Sequence, residues 1–118
     1  MSKCISISIL DATDKESIIT QIKDIQTKVK KIYKSSFEYR VHFDIMDSRF
    51  VPNVGIDENW IRVACKNGIF ADVHLMVNNP VEDGYIDRAV EFGASRISIH
   101  YEIDNFKEAL DYLNKFDV

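Results

Sequence analysis

Four stretches of this chain alternate apolar and polar side chains with a period of two, and each is followed by a stretch whose apolar residues return every three or four positions. The first strand-like stretch, residues 4 to 10, reads Cys-Ile-Ser-Ile-Ser-Ile-Leu. The others run from about Tyr39 to Met46, Ile69 to Met76 and Ser95 to His100. After the first, Thr13 and Glu16 have capping-box spacing, and Ile18, Ile19, Ile22, Ile25, Val29 and Ile32 fall on one helical face. After the second come a loop around Pro52 and a short helix predicted from near Asp57, stopped by Asn67-Gly68. Asn78-Asn79-Pro80 breaks the third strand, and a helix is predicted from about Glu82 to Phe92 with Gly93 as its C-terminal cap. Asp104 is expected to cap a last helix carrying Phe106, Ala109, Leu110, Leu113 and Phe116. A strand and a helix repeated at roughly 30 residues predict parallel strands with right-handed crossovers, the α/β class, as a βα barrel or a doubly wound sheet.

The parity of the strands separates those two. A doubly wound sheet is covered by helices on both faces, so both parities should be apolar. Here Ile5, Ile7 and Ile9 oppose Ser6 and Ser8, and Val41, Phe43 and Ile45 oppose His42, Asp44 and Met46. Likewise Val73, Leu75 and Val77 oppose Asp72, His74 and Met76, and Ile97 and Ile99 oppose Arg96, Ser98 and His100. Two arrangements satisfy this pattern: a two-layer sheet with one face in water, and a barrel whose interior takes the polar parity. A solvated face usually carries Lys, Glu and Thr, whereas these positions hold His, Asp, Ser and Met, so the barrel is favoured. The aliphatic parity then packs on the helices.

Bulk properties exclude several classes of function. With 15 basic and 19 acidic residues the net charge is -4, which gives no field for nucleic acid or an anionic membrane. The cationic cluster Lys28, Lys30, Lys31 and Lys34 ends a predicted helix, where it complements the macrodipole. Cys4 and Cys65 have no metal-type spacing and point to a reduced, cytoplasmic compartment. The apolar start is too short and too often interrupted by Ser for a signal peptide or membrane span.

His42 and Asp44 are two apart on one strand and so share a face; His74 reaches the same place if the next strand is adjacent and in register. Two imidazoles and a carboxylate with open positions suit Zn²⁺, Fe²⁺ or Mn²⁺ better than Ca²⁺ or a bare Mg²⁺. A His-x-Asp with a distant His also arises by chance. Met46 and Met76 each follow a candidate ligand by two residues, toward the strand ends where barrel active sites lie, and their thioethers would help dry the site. Ordinary core filling is the other reading of each Met taken alone.

The stretch HFDIMDSRFVPN, residues 42 to 53, resembles the ribulose-phosphate 3-epimerase motif H-x-D-x-M-D-G-x-F-V-P-N. DVHLMVNNP resembles the family's D-x-H-L-M-V-x-x-P, Ser8-Ile9-Leu10 its first-strand S-I-L, and His100-Tyr101-Glu102 its H-x-E at strand four. The resemblance implies a ribulose-phosphate-binding TIM barrel in which His42, Asp44 and His74 ligate a divalent metal, Zn, Fe, Mn or Co. It also implies that Asp44 is a catalytic acid/base at substrate C3, that Ser8 and His74 contact the sugar phosphate, and that Met46 and Met76 line the site. The implied reaction interconverts D-ribulose 5-phosphate and D-xylulose 5-phosphate through a 2,3-enediolate: one Asp removes the C3 proton and a second Asp reprotonates the opposite face.

The sequence departs from the motif in two respects. Ser48 stands where the family has Gly, and Arg49 where it usually has His; if that position needs φ > 0, the Ser costs about 1 kcal/mol. The larger departure is length. A complete barrel takes eight strands in roughly 200 or more residues, so residues 1 to 118 are expected to be a single domain of about four βα units, the N-terminal half of a barrel. The family's second catalytic Asp and its phosphate-binding Gly-rich loops belong to the other half. The expectation is impaired epimerisation unless a two-fold homo-oligomer or a complementing second half-barrel chain completes the site. The alternatives are a non-catalytic half-barrel that binds a metal or partner, and a related sugar-phosphate epimerase or isomerase with another substrate.

Overall fold

The computed structural model describes residues 4–9, 14–33 and 38–118. Its elements alternate as the pattern predicts: β1 (Cys4–Ser8), α1 (Lys15–Tyr33), β2 (Glu38–Met46), α2 (Asn59–Lys66), β3 (Ala71–Met76), α3 (Tyr85–Phe92), β4 (Arg96–Ser98) and α4 (Phe106–Leu113). The strands form one sheet in the order β1-β2-β3-β4, and every pairing is parallel. Sequential parallel order with a helix in each crossover is the arrangement of consecutive units in a TIM barrel.

The aliphatic parity makes the core. Val41, Phe43, Val73 and Leu75 are fully buried with Ile9, Ile45 and Val77. Ile18 and Ile22 of α1, Ile61 and Ala64 of α2, Ile86 and Ala89 of α3, and Ala109 of α4 close over them. Each large side chain buried this way contributes about 1.5–3 kcal/mol, so one face of the sheet carries most of the apolar burial. Ile5, at the start of β1, stays exposed although it shares the aliphatic parity.

Element boundaries differ from expectation where side chains or pairing intervene. The Thr13 cap lies outside the described residues; at the start of α1 the Asp14 Oδ1 accepts the Ser17 N–H at 2.7 Å. Asp57 accepts the Asn59 N–H at 2.9 Å, so α2 begins after it, at Asn59. The third helix starts at Tyr85 rather than Glu82, because Gly84 (φ 76) ends a turn in the left-handed region first. Asp104 does not cap α4: Asn105 holds that position, with no side-chain cap bond. Pairing of β4 stops at Ser98, so His100 lies beyond the ladder. The stop signals at Gly68 (φ 81) and Gly93 (φ 107) both sit at helix ends with positive φ.

Candidate metal centre

The register of β2 on β3 sets Asp44 beside His74 and Met46 beside Met76, while β1 sets Ser8 beside His42. Parallel pairing therefore brings the polar parity of three strands onto one patch. Asp44 Oδ1 lies 3.0 Å from His42 Nε2 and 3.0 Å from His74 Nδ1. One oxygen thus faces both imidazoles, and Asp44 Oδ2 makes no hydrogen bond among the described residues. The three donor atoms lie within 4.8 Å of one another.

This donor set fits a divalent metal. The Asp44 oxygen lies close to one nitrogen of each ring, and the three donor atoms stand near enough together for one ion to engage all of them. Nitrogen and carboxylate donors suit the borderline transition metals. All three residues are half-buried, which admits a substrate while limiting solvent.

Further polar residues extend the patch on both sides. His42 Nδ1 is 3.1 Å from Asp72 Oδ2, and Ser6 Oγ donates to that same oxygen at 2.7 Å. Asp72 is 5% exposed, the only buried charged residue among those described, and its Oδ1 has no described partner. Burial works to raise the Asp72 pKa, but the hydrogen bonds from Ser6 and His42, with the positive charge of Arg96 nearby, outweigh it and hold the carboxyl below its ordinary value. On the other side His74 Nε2 is 2.7 Å from His100 Nε2, the two rings stack at 4.8 Å, and His100 Nδ1 is 3.2 Å from Glu102 Oε2.

The loop after β2 is pinned to the end of β3. Asp47 Oδ1 accepts the Arg49 and Phe50 N–H groups at 2.8 Å each, and Oδ2 accepts the Asn78 N–H at 2.8 Å. Burial again opposes ionisation; these backbone hydrogen bonds outweigh it and lower the Asp47 pKa. Ser48 takes φ 64, the only positive φ at a described non-Gly residue, as its place in the motif requires. The loop returns under the site, where Ile56 N–H donates to the Asp44 carbonyl at 3.0 Å. A Cβ on Gly55 would run into that carbonyl and come within 3.0 Å of Met46 Cγ.

The residues singled out from sequence thus fall into two groups. His42, Asp44 and His74 converge, and Met46 and Met76 flank them, half-buried and side by side. Ser8 is exposed on the same face and makes no side-chain hydrogen bond among the described residues. The sequence reading left Ser6, Asp72, His100 and Glu102 without roles, although Asp72 and His100 carry the parity of the ligands and lie in the quoted motifs.

Comparison with known proteins agrees with this geometry. Residues 4–116 match the model of the ribulose-phosphate 3-epimerase family. The chain is 38% identical over 80 residues to a ribulose-phosphate 3-epimerase of Chlamydia muridarum (strain MoPn / Nigg), covering 66% of this chain and 34% of that protein. It is 36% identical over 93 residues to the Chlamydia pneumoniae enzyme of the same name, covering 77% and 39%. Against the cytoplasmic isoform of Oryza sativa subsp. japonica it is 38% identical over 73 residues, covering 59% and 31%. The matched stretch spans between 31% and 39% of the length of these relatives. With a family match over nearly all its length and a parallel βα sheet presenting the motif residues on one face, the chain belongs to the ribulose-phosphate 3-epimerase family.

Proposed function

We propose that this chain supplies the metal-binding part of an epimerase site that interconverts D-ribulose 5-phosphate and D-xylulose 5-phosphate, and that residues 1 to 118 form one domain, the N-terminal part of a TIM barrel. The observation that carries this is the division of labour at Asp44: Oδ1 meets both imidazoles, while Oδ2 is left without a partner among the described residues.

His42, Asp44 and His74 would hold the metal, whose charge when bound favours negative charge on the neighbouring substrate oxygens. Asp44 is the acid/base, its Oδ2 free to take a proton from C3 of the ketose. A carboxylate suits this task because it can accept the C3 proton in one turnover and release it before the next, while the opposite face is reprotonated by another group. Ser8 and the exposed edge of His74 contact the sugar phosphate. Met46 and Met76 exclude water beside the reacting carbon and so strengthen the local electrostatics. Inversion needs a second acid on the opposite face, contributed by a part of the barrel other than these four βα units. No described helix is long and apolar enough to cross a membrane, and a relative is named as a cytoplasmic isoform, which supports a cytoplasmic site of action.

The test follows ribulose 5-phosphate in D₂O by ¹H NMR with Zn²⁺-loaded protein, reading deuterium entry at C3 and xylulose 5-phosphate separately. Deuterium entry is expected, falling by about 10²–10⁴-fold in Asp44→Asn. Inversion accompanying exchange would show that an assembly supplies the second acid, and light scattering at micromolar concentration would then have to find a dimer if that assembly is a self-dimer. Wild type and Asp44→Asn equally silent would reduce the site to a non-catalytic metal-binding patch.

A further inference from the structure

The hydrogen bonds around the centre form two chains, and only one arrangement of protons satisfies both while leaving lone pairs for a metal. On one side Ser6 Oγ donates to Asp72 Oδ2 at 2.7 Å, and the same oxygen stands 3.1 Å from His42 Nδ1. A carboxylate only accepts, and His42 has one on each side; once a metal takes the Nε2 lone pair on the Asp44 side, the ring must carry its proton on Nδ1, toward Asp72. On the other side His74 Nε2 and His100 Nε2 are 2.7 Å apart, so one donates and the other accepts. Glu102 Oε2, 3.2 Å from His100 Nδ1, draws that ring's proton to Nδ1. His100 Nε2 is then the acceptor and His74 carries its proton on Nε2, the arrangement that leaves the His74 Nδ1 lone pair for a metal beside Asp44.

The two histidines are therefore held in opposite tautomers, His42 to bind through Nε2 and His74 through Nδ1. Neither choice is intrinsic to the ring; each is set by the group behind it. Resting on the metal centre proposed above, we infer that Asp72 and His100 are positioning residues that select these tautomers and fix ring orientation, with Ser6 and Glu102 anchoring them in turn. The two supports differ in kind. Asp72 is a buried carboxylate, whereas His100 is a half-buried ring whose own orientation depends on the exposed Glu102 and on a tilted contact with the Phe50 ring at 4.7 Å. His42 is accordingly the more firmly held ligand.

The test uses Zn²⁺ affinity, by competition with a chromogenic chelator, and ¹H–¹⁵N long-range correlation spectra of the imidazoles in Zn²⁺-loaded protein. Wild type should show His42 metallated at Nε2 and protonated at Nδ1, and His74 the reverse. Asp72→Ala should weaken Zn²⁺ binding by about 10–100-fold and lose the His42 Nδ1–H signature. Asp72→Asn, which keeps an accepting oxygen of the same reach, should fall between Ala and wild type. His100→Phe should act likewise on His74 but less strongly, with His100→Gln a partial rescue. A merely structural role would move neither the nitrogen assignment nor the affinity of the folded variants, so unchanged values in folded Asp72→Ala and His100→Phe overturn the inference. Should Asp72→Ala not fold, Asp72→Asn carries the same comparison. Wild type that binds no Zn²⁺ removes the metal centre itself, an outcome distinct from wild type that binds with variants that match it.

Discussion

Alternate residues of the same four strands make two faces that are held by different physics. On the helix side Val41, Phe43, Val73 and Leu75 are fully buried, and their packing depends on volume. On the other side His42, Asp44 and His74 stay half-exposed, and the directional hydrogen bonds that hold their surroundings, such as Ser6 to Asp72, each add only about 1 kcal/mol net. Stability is concentrated on one parity and chemistry on the other. Because the period is two, neighbours in sequence such as Phe43 and Asp44 belong to opposite regimes, and a one-residue slip of β2 would exchange them.

The sharpest way to break that comparison is to substitute those two neighbours separately. Phe43→Ala leaves a cavity under the helices and should cost about 3–5 kcal/mol in urea unfolding. Asp44→Asn should change stability by under about 1 kcal/mol while weakening Zn²⁺ binding severely. Comparable destabilisation by the two would mean that the polar face is part of the core rather than a separable site.

The separation of faces is also what made the fold legible. Period-two parity needs only one strand at a time, so the element order and the buried face could be read from β2 and β3 directly. The metal triad was legible because its members share a parity and lie on adjacent strands. Boundaries were less so: Asn105 holds the cap position expected of Asp104, because neighbouring Asp and Asn residues can both serve and local geometry chooses between them. The second layer of the site, Ser6, Asp72, His100 and Glu102, stayed hidden for another reason. Parity places Ser6, Asp72 and His100 on the right face, but the hydrogen bonds depend on rotamers and on the diagonal reach of Ser6 across β2 to Asp72 on β3.

A smaller effect is expected where the two regimes meet, at the loop that leaves β2. Asp47→Ala would strip the acceptor from the N–H groups of Arg49, Phe50 and Asn78, at a cost of about 1–3 kcal/mol. The Asp47 carboxyl lies below its ordinary value in the folded chain. Its contribution is therefore complete above the unfolded value of about 3.9 and is lost as pH falls from there through the folded value. Stability of wild type should decline more steeply than that of Asp47→Ala over that acidic window, and parallel pH curves would show that the carboxylate does not pin the loop.

The smallest effect tests whether the loop's departure from the family motif is strain or design. Ser48 holds φ 64, where its Cβ is crowded, and its Oγ donates to the Asn53 carbonyl at 3.3 Å, a long bond at an exposed position. Replacing it by Gly relieves the crowding and loses that bond, while adding freedom to the unfolded chain, so Ser48→Gly should stabilise by only about 0.5 kcal/mol. Thermal unfolding of the paired proteins measures this. If Ser48→Gly is instead destabilised, the hydroxyl bond outweighs the backbone strain, and the serine must be counted among the groups that hold the loop in place beside Asp47. The Zn²⁺ affinity of the same variant separates the cases further: strain relief alone leaves it unchanged, since Asp44 is fixed by the ladder and by the Ile56 N–H rather than by residue 48.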